Sequence, residues 1–295
     1  MRTVTTGRTH LLILLLLCVG MPTGVEAACH WEGKGGAGQP LTAMAFGNYS
    51  VFSGTALTAT DGAAGGPIKV KCDPGFTATM TIDKGSGTVP QRKMVKGPDT
   101  ANYNLYLDAG GGQIWGDGTT GTPLSIGDGV TFSGFIYGIV PAAQDLVPGN
   151  YTDTVNAKVS GTWGQDPNVV AITITMTVNI GCRVDNFTLN FGIYNPLSAT
   201  ALAQSTNLNV YCTKTTPATF TMSNGVYWLT GQRRMFSAAR GTYLNYNLSI
   251  PTTAGTSTSC LTPIAGGFPL NGTVPALQDQ PVGSYIDTLV ATITY

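Results

Sequence analysis

Histidine is almost missing from this chain. The two present, His10 and His30, lie in an apolar leader and beside Cys29, so a Ser-His-Asp or Cys-His arrangement would rest on His30 alone, without an orienting partner. Charge is scarce too. Only 10% of the 295 residues are charged, 15 basic against 15 acidic, which provides no basic field for nucleic acid and no acidic tail. No Cys-x-x-Cys or paired-histidine spacing suits zinc. Asp117 and Asp128 stand among glycines as in a calcium loop, but acids in glycine-rich turns are common. Leucine-rich helical periodicity is lacking, and no apolar run after residues 11–19 approaches the length of a membrane span. These absences argue against a hydrolase, a metal or cofactor protein, a nucleic-acid binder and a transmembrane protein.

What is present is β-sheet chemistry under an export signal. Arg2 and Arg8 precede the apolar run 11–19, and small residues follow at Val25, Ala27 and Ala28, which reads as a signal peptide over 1–27. Glycine (39 residues) and threonine are abundant, and short alternating segments are divided by Gly- and Pro-rich turns. That composition suits a β-sandwich, and the length left after the signal suits two.

An internal repeat organises the remainder. Cys29, Phe46-Gly-Asn-Tyr49 and Ile68-Lys-Val-Lys-Cys72 correspond to Cys182, Phe191-Gly-Ile-Tyr194 and Leu208-Asn-Val-Tyr-Cys212. In the same order follow Phe76-Thr-Ala-Thr-Met80 with Ala218-Thr-Phe-Thr-Met222, and Arg92-Lys-Met94 with Arg233-Arg-Met235. Each copy closes on Val-Pro-Ala and Gly-x-Tyr-x-Asp-Thr, ending at Thr154 and Thr288. The alignment pairs Cys29 with Cys72 and Cys182 with Cys212. Each bridge would contribute about 3.5–4 kcal/mol by loop entropy in an oxidising compartment. Cys260 is left as a buried free thiol or a site of intermolecular pairing. Because both copies carry them, Arg92, Arg233, Asp153 and Asp287 are expected to be structural.

The copies differ in one respect. After the first Asp-Thr the chain runs through 155–159, turns, and lays down a second alternating strand over 170–180. There Ile172, Ile174, Met176, Val178 and Ile180 face one way and the threonines the other. After the second Asp-Thr only 289–295 follows, with Leu289, Ala291, Ile293 and Tyr295 alternating. The second half is therefore expected to lack a strand that the first has. Filling such a groove with about five apolar side chains at 1.5–3 kcal/mol each is worth about 8–15 kcal/mol. That matches the whole stability of an ordinary domain, so this half should need a strand from another chain.

The pattern Cys…Phe-Gly-x-Tyr…Val-x-Cys, then Arg-x-Met, Val-Pro-Ala and Gly-x-Tyr-x-Asp-Thr, resembles the spore coat protein U domain. That family includes pilins of archaic chaperone–usher pili. The resemblance implies an all-β chain of two tandem immunoglobulin-like sandwiches, 28–180 adhesive and 181–295 pilin-like, the second lacking its last strand. It implies a periplasmic pilus chaperone, an outer-membrane usher and an adjacent pilin subunit donating a strand as partners, and export through the periplasm to the cell surface. Because Cys29 follows the leader almost directly, the chain is expected to accept a strand but not to donate one, as a tip adhesin would.

Within that scheme Val170, Ile172, Ile174, Met176 and Val178 form the closing or interdomain strand, and Leu289, Ala291, Ile293 and Tyr295 line the open groove. Trp115, Trp163 and Val169 are expected in loops that touch an unknown surface or glycan, the alternative being that the tryptophans cap the core. Trp31 and Trp228 are expected in the core or the groove. Competing readings are a spore or cell coat component assembled by the same strand exchange, and a secreted carbohydrate-binding module.

Overall fold

The computed structural model describes residues 28–32, 43–60, 67–161, 168–249 and 255–295. The signal segment 1–27 and Trp163 fall outside these residues. All regular structure among the described residues is β. The first part contains β1 (Cys29–Trp31), β2 (Ala43–Tyr49), β3 (Leu57–Thr60), β4 (Ile68–Cys72), β5 (Ala78–Ile82) and β6 (Arg92–Lys96). It continues with β7 (Asp99–Tyr106), β8 (Leu124–Ile126), β9 (Thr131–Gly134), β10 (Tyr137–Val140), β11 (Gly149–Gly161) and β12 (Val169–Val178). The second part contains β13 (Cys182–Val184), β14 (Leu202–Leu208), β15 (Val210–Cys212), β16 (Pro217–Met222) and β17 (Arg233–Ser237). It ends with β18 (Thr242–Ser249), β19 (Gly255–Thr256), β20 (Phe268–Val274) and β21 (Ala291–Thr294).

Every strand ladder among the described residues stays within 29–178 or within 182–294. In the first sandwich a small sheet β1-β4-β9 faces a large one ordered β2-β12-β11-β6-β7-β10-β3. Alternation explains the burial: in β11, Tyr151, Asp153, Val155, Ala157 and Val159 point inward, and the residues between them point out. The disulfides Cys29–Cys72 and Cys182–Cys212 form as the repeat implies, each tying the first strand of its sandwich to its antiparallel neighbour.

β12 completes the first sandwich. It lies between β11, antiparallel from Gly149↔Val178 to Lys158↔Val169, and β2, parallel from Thr173↔Ala43 to Val178↔Tyr49. Val170, Ile172, Ile174, Met176 and Val178 are all buried there. Ile180 departs from the expected alternation. It follows the strand rather than extending it, and is 51% exposed.

The second sandwich repeats the plan with three pieces altered. The segment matching β2, residues 188–194, forms no strand. The segment matching β11 is a strand only over Ala291–Thr294, where β16 pairs with it, and not from Leu289 as the alternation suggests. Between those two segments no described residue takes the place of β12. A ladder exists only where both edges are present, so loss of the middle strand leaves both flanks unladdered.

Candidate functional site

A groove of about 990 Å³ opens where β12 would lie in the second sandwich. Leu189 and Phe191 form one wall, Tyr285 and Leu289 the other, and Tyr246 and Leu270 lie among the floor residues. The wall residues match buried positions of the first sandwich. Met44, Phe46 and Tyr49 are buried against β12, whereas Leu189, Phe191 and Tyr194 are only half-buried. Tyr151 and Val155 are fully buried, whereas Tyr285 and Leu289 are half-exposed. The groove is flanked by the positions that border β12 in the first sandwich.

Its backbone is also prepared. Ile286 exchanges hydrogen bonds with Phe236, Thr288 O accepts from Val226 N–H, and Val290 O accepts from Ser223 N–H, all directed away from the groove. Successive residues of an extended chain point to opposite sides, so the N–H and C=O groups of 285, 287 and 289 face it.

Polar clamps hold both sandwiches in the same way. Tyr49 Oη donates to Pro141 O and accepts from Gln144 N–H, and Tyr194 Oη does the same with Pro275 and Gln278. Gln144 caps Asn102 through both backbone groups, and Gln278 caps Asn245. Asp153 accepts from Tyr103 Oη, Ser86 N–H and Oγ, and Thr154 N–H, so the repeated Asp-Thr pair is a structural anchor. Burial, then the hydrogen bond to the carboxylate, pushes the Tyr103 and Tyr246 hydroxyls well above the ordinary range.

The two arginines differ in their surroundings. Arg92 is fully buried and donates to Asp83 O, Ile82 O, Trp115 O and Asn104 Oδ1; desolvation lowers its pKa, and Tyr103 and Asp83 counteract it. Arg233 is half-exposed, donates to Ser223 O and Asn224 Oδ1, and its buried Nε has no hydrogen-bond partner.

Several expected site residues stand elsewhere. Trp115 is not an exposed loop residue. It is fully buried, with Nε1 donating to Met80 O at 3.2 Å, because residues 113–116 fold back across the sheet and pair with Leu105, Leu107 and Thr122. Gly116 permits this, since a Cβ there would lie 2.5 Å from Thr120 O. Val169 is exposed, at 44%. Trp31 is in the first core, whereas Trp228 is in neither core nor groove: it is 38% exposed, with the Arg233 guanidinium 5.7 Å from its ring. Leu289 and Ala291 line the groove, but Ile293 packs on the second core and Tyr295 is 53% exposed.

Among the described residues, no cluster of His, Cys, Asp or Glu is placed to hold a metal, and no helix is long and apolar enough to cross a membrane. Asp117 instead caps its own turn: Oδ1 accepts from Thr119 and Thr120, which holds its carboxyl down at about 2.

Comparison with known proteins fits this architecture. The Spore Coat Protein U domain matches the chain twice, over residues 17–158 and 168–292. Protein U of Myxococcus xanthus is 36% identical over 137 residues, which span 40% of this chain and 76% of that protein. The structure of a chaperone–tip adhesion subunit pre-assembly complex from archaic chaperone–usher Csu pili of Acinetobacter baumannii superposes with a TM-score of 0.51 at 16% identity, covering 91% of this chain and 100% of that one. The likeness to it is one of fold. The matching proteins are structural rather than enzymatic.

Proposed function

Because the chain belongs to the Spore Coat Protein U domain family and carries an open groove in its second sandwich, we propose that it is the tip subunit of a chaperone–usher surface pilus. The groove carries this reading. It matches, position by position, the slot that β12 fills in the first sandwich. A strand supplied by a neighbouring pilin would run antiparallel to 283–291 and bury apolar side chains against Phe191, Tyr285 and Leu289. A periplasmic chaperone would occupy the slot first and an outer-membrane usher would exchange it. The superposable pilus protein was itself captured as a tip adhesion subunit with its chaperone. We place the boundary between an adhesive and a pilin-like domain at 180/181. Attachment would use the pole farthest from that boundary, where Val130 and Val169 are exposed; Trp163 falls between β11 and β12 in the sequence.

A peptide of residues 169–178 tests the groove reading. Added to the purified full chain, it should raise the midpoint of the less stable unfolding transition by about 5 °C or more, and an Ile174→Asp version should not. An unchanged midpoint with the native peptide rejects strand acceptance.

The relationship to Protein U supports a second reading, in which the same strand exchange builds a cell or spore coat. Electron microscopy of assemblies released from producing cells separates the two: thin filaments ending in this chain mean a pilus, and a sheet or shell means a coat.

A further inference from the structure

The two sandwiches meet end to end, and the surface used by the first has an uncovered counterpart on the second. At the junction Asp145 Oδ1 accepts from the Cys260 backbone N–H at 2.8 Å and from its thiol at 3.0 Å, and the thiol also lies 3.4 Å from Gln144 O. Cys260, although part of the second sandwich, packs with the first core and is only 3% exposed. Beside it Phe52 faces Arg183, whose guanidinium lies 5.8 Å from that ring and 4.0 Å from the Tyr211 ring. β12 ends opposite Tyr49 and Gly149, and β13 begins directly after, so a strand in the slot delivers the following domain onto this pole.

The same pole recurs on the second sandwich. Ser53 Oγ donates to Thr55 O and accepts from Thr55 N–H, and Ser198 does so with Thr200, which sets Leu197 in the position of Phe52. The Tyr–Gln clamps superimpose Gln278 on Gln144 and so Asp279 on Asp145. Ala143 and Leu277 share a left-handed φ of 56°. In the first sandwich the next domain packs on Phe52 and Asp145, which are half-buried, while Ala143 stays exposed. In the second, Leu197 is 86% exposed, Leu277 64% exposed, and Asp279 lies at the surface. The groove runs into this pole through Tyr194, Pro196 and Gln280.

We propose that Leu197 and Asp279 form a docking surface for the folded body of the strand-donating subunit. That body is a sandwich offering backbone N–H and hydroxyl or thiol donors to Asp279 and an apolar or stacked cationic side chain to Leu197. The contact rests on the groove reading. The donated strand tethers the two bodies, and the pole sets the angle between them at high effective concentration.

The test uses the full chain in producing cells, with p-benzoylphenylalanine at Ile193 on the groove wall or at Leu197 on the pole, followed by irradiation of sheared surface polymers. Both positions should trap the same subunit. In parallel, Asp279→Lys should lower incorporation of the chain into polymers by about tenfold while leaving the thermal shift with the 169–178 peptide unchanged. Trapping from Ile193 with none from the pole, or normal incorporation of Asp279→Lys, overturns the docking surface and leaves the groove standing. No trapping from any position together with no peptide shift removes both.

Discussion

The Tyr246 hydroxyl donates to Asp287 Oδ2 across 2.6 Å on the wall of the open groove. The same bond in the first sandwich, Tyr103 to Asp153 at 2.7 Å, lies beside β12, and Asp153 is only 4% exposed. Sequence and local geometry are alike; the covering strand makes the difference. Asp153→Ala should therefore cost about 3 kcal/mol and Asp287→Ala about half that, measured by urea unfolding of the full chain. Equal penalties would mean that the groove wall is already as desolvated as the closed slot.

Ile174 stands opposite Asp153 in the β11–β12 register. Ile174→Asp would bury a second carboxylate beside the first and should cost about 4–5 kcal/mol, whereas Thr173→Asn, pointing outward, should stay within about 0.5 kcal/mol. Thermal unfolding of the two variants checks this, with the large loss confined to the first sandwich.

Arg92 donates four hydrogen bonds in a fixed fork, which an ammonium group cannot reproduce. Arg92→Lys should cost about 3 kcal/mol, and Arg233→Lys, half-exposed and less fully bonded, about 1 kcal/mol. Chemical denaturation of each variant reads the contrast.

Burial, and then the hydrogen bond to Asp145, pushes the Cys260 thiol up to about 11. The folded chain therefore holds this proton more tightly than the unfolded chain. Its contribution to stability is complete below the ordinary thiol range and is lost as pH rises from about 9 to about 11. Tyr151, raised to about 12 chiefly by burial, extends the same trend. The unfolding midpoint should fall across that interval, and a Cys260→Ser variant should lose part of the slope. At pH 8 the thiol should resist iodoacetamide in the native chain and react once unfolded.

Much of this was legible in the chain. The repeat established the disulfide partners, and its recurrent Tyr and Asp-Thr positions proved to be matching clamps, whereas Arg92 and Arg233 take different partners. Trp115 was misread because a glycine-rich stretch looks like a surface loop in one dimension, and its return across the sheet depends on a backbone pairing with Leu105 and Leu107 that no periodicity records. Trp228 was misplaced for a similar reason, since its ring is held near Arg233 at the surface.

The sequence alone determined which residues alternate, and hence which faces must leave water: burial follows the period of two. Only the tertiary structure decided what covers each face. It inserted β12 between β2 and β11, left the matching slot between Phe191 and Leu289 open, and brought Cys260 onto Asp145. Those outcomes arise from contacts between segments far apart in the chain, whose free energy exists only once both partners are in place.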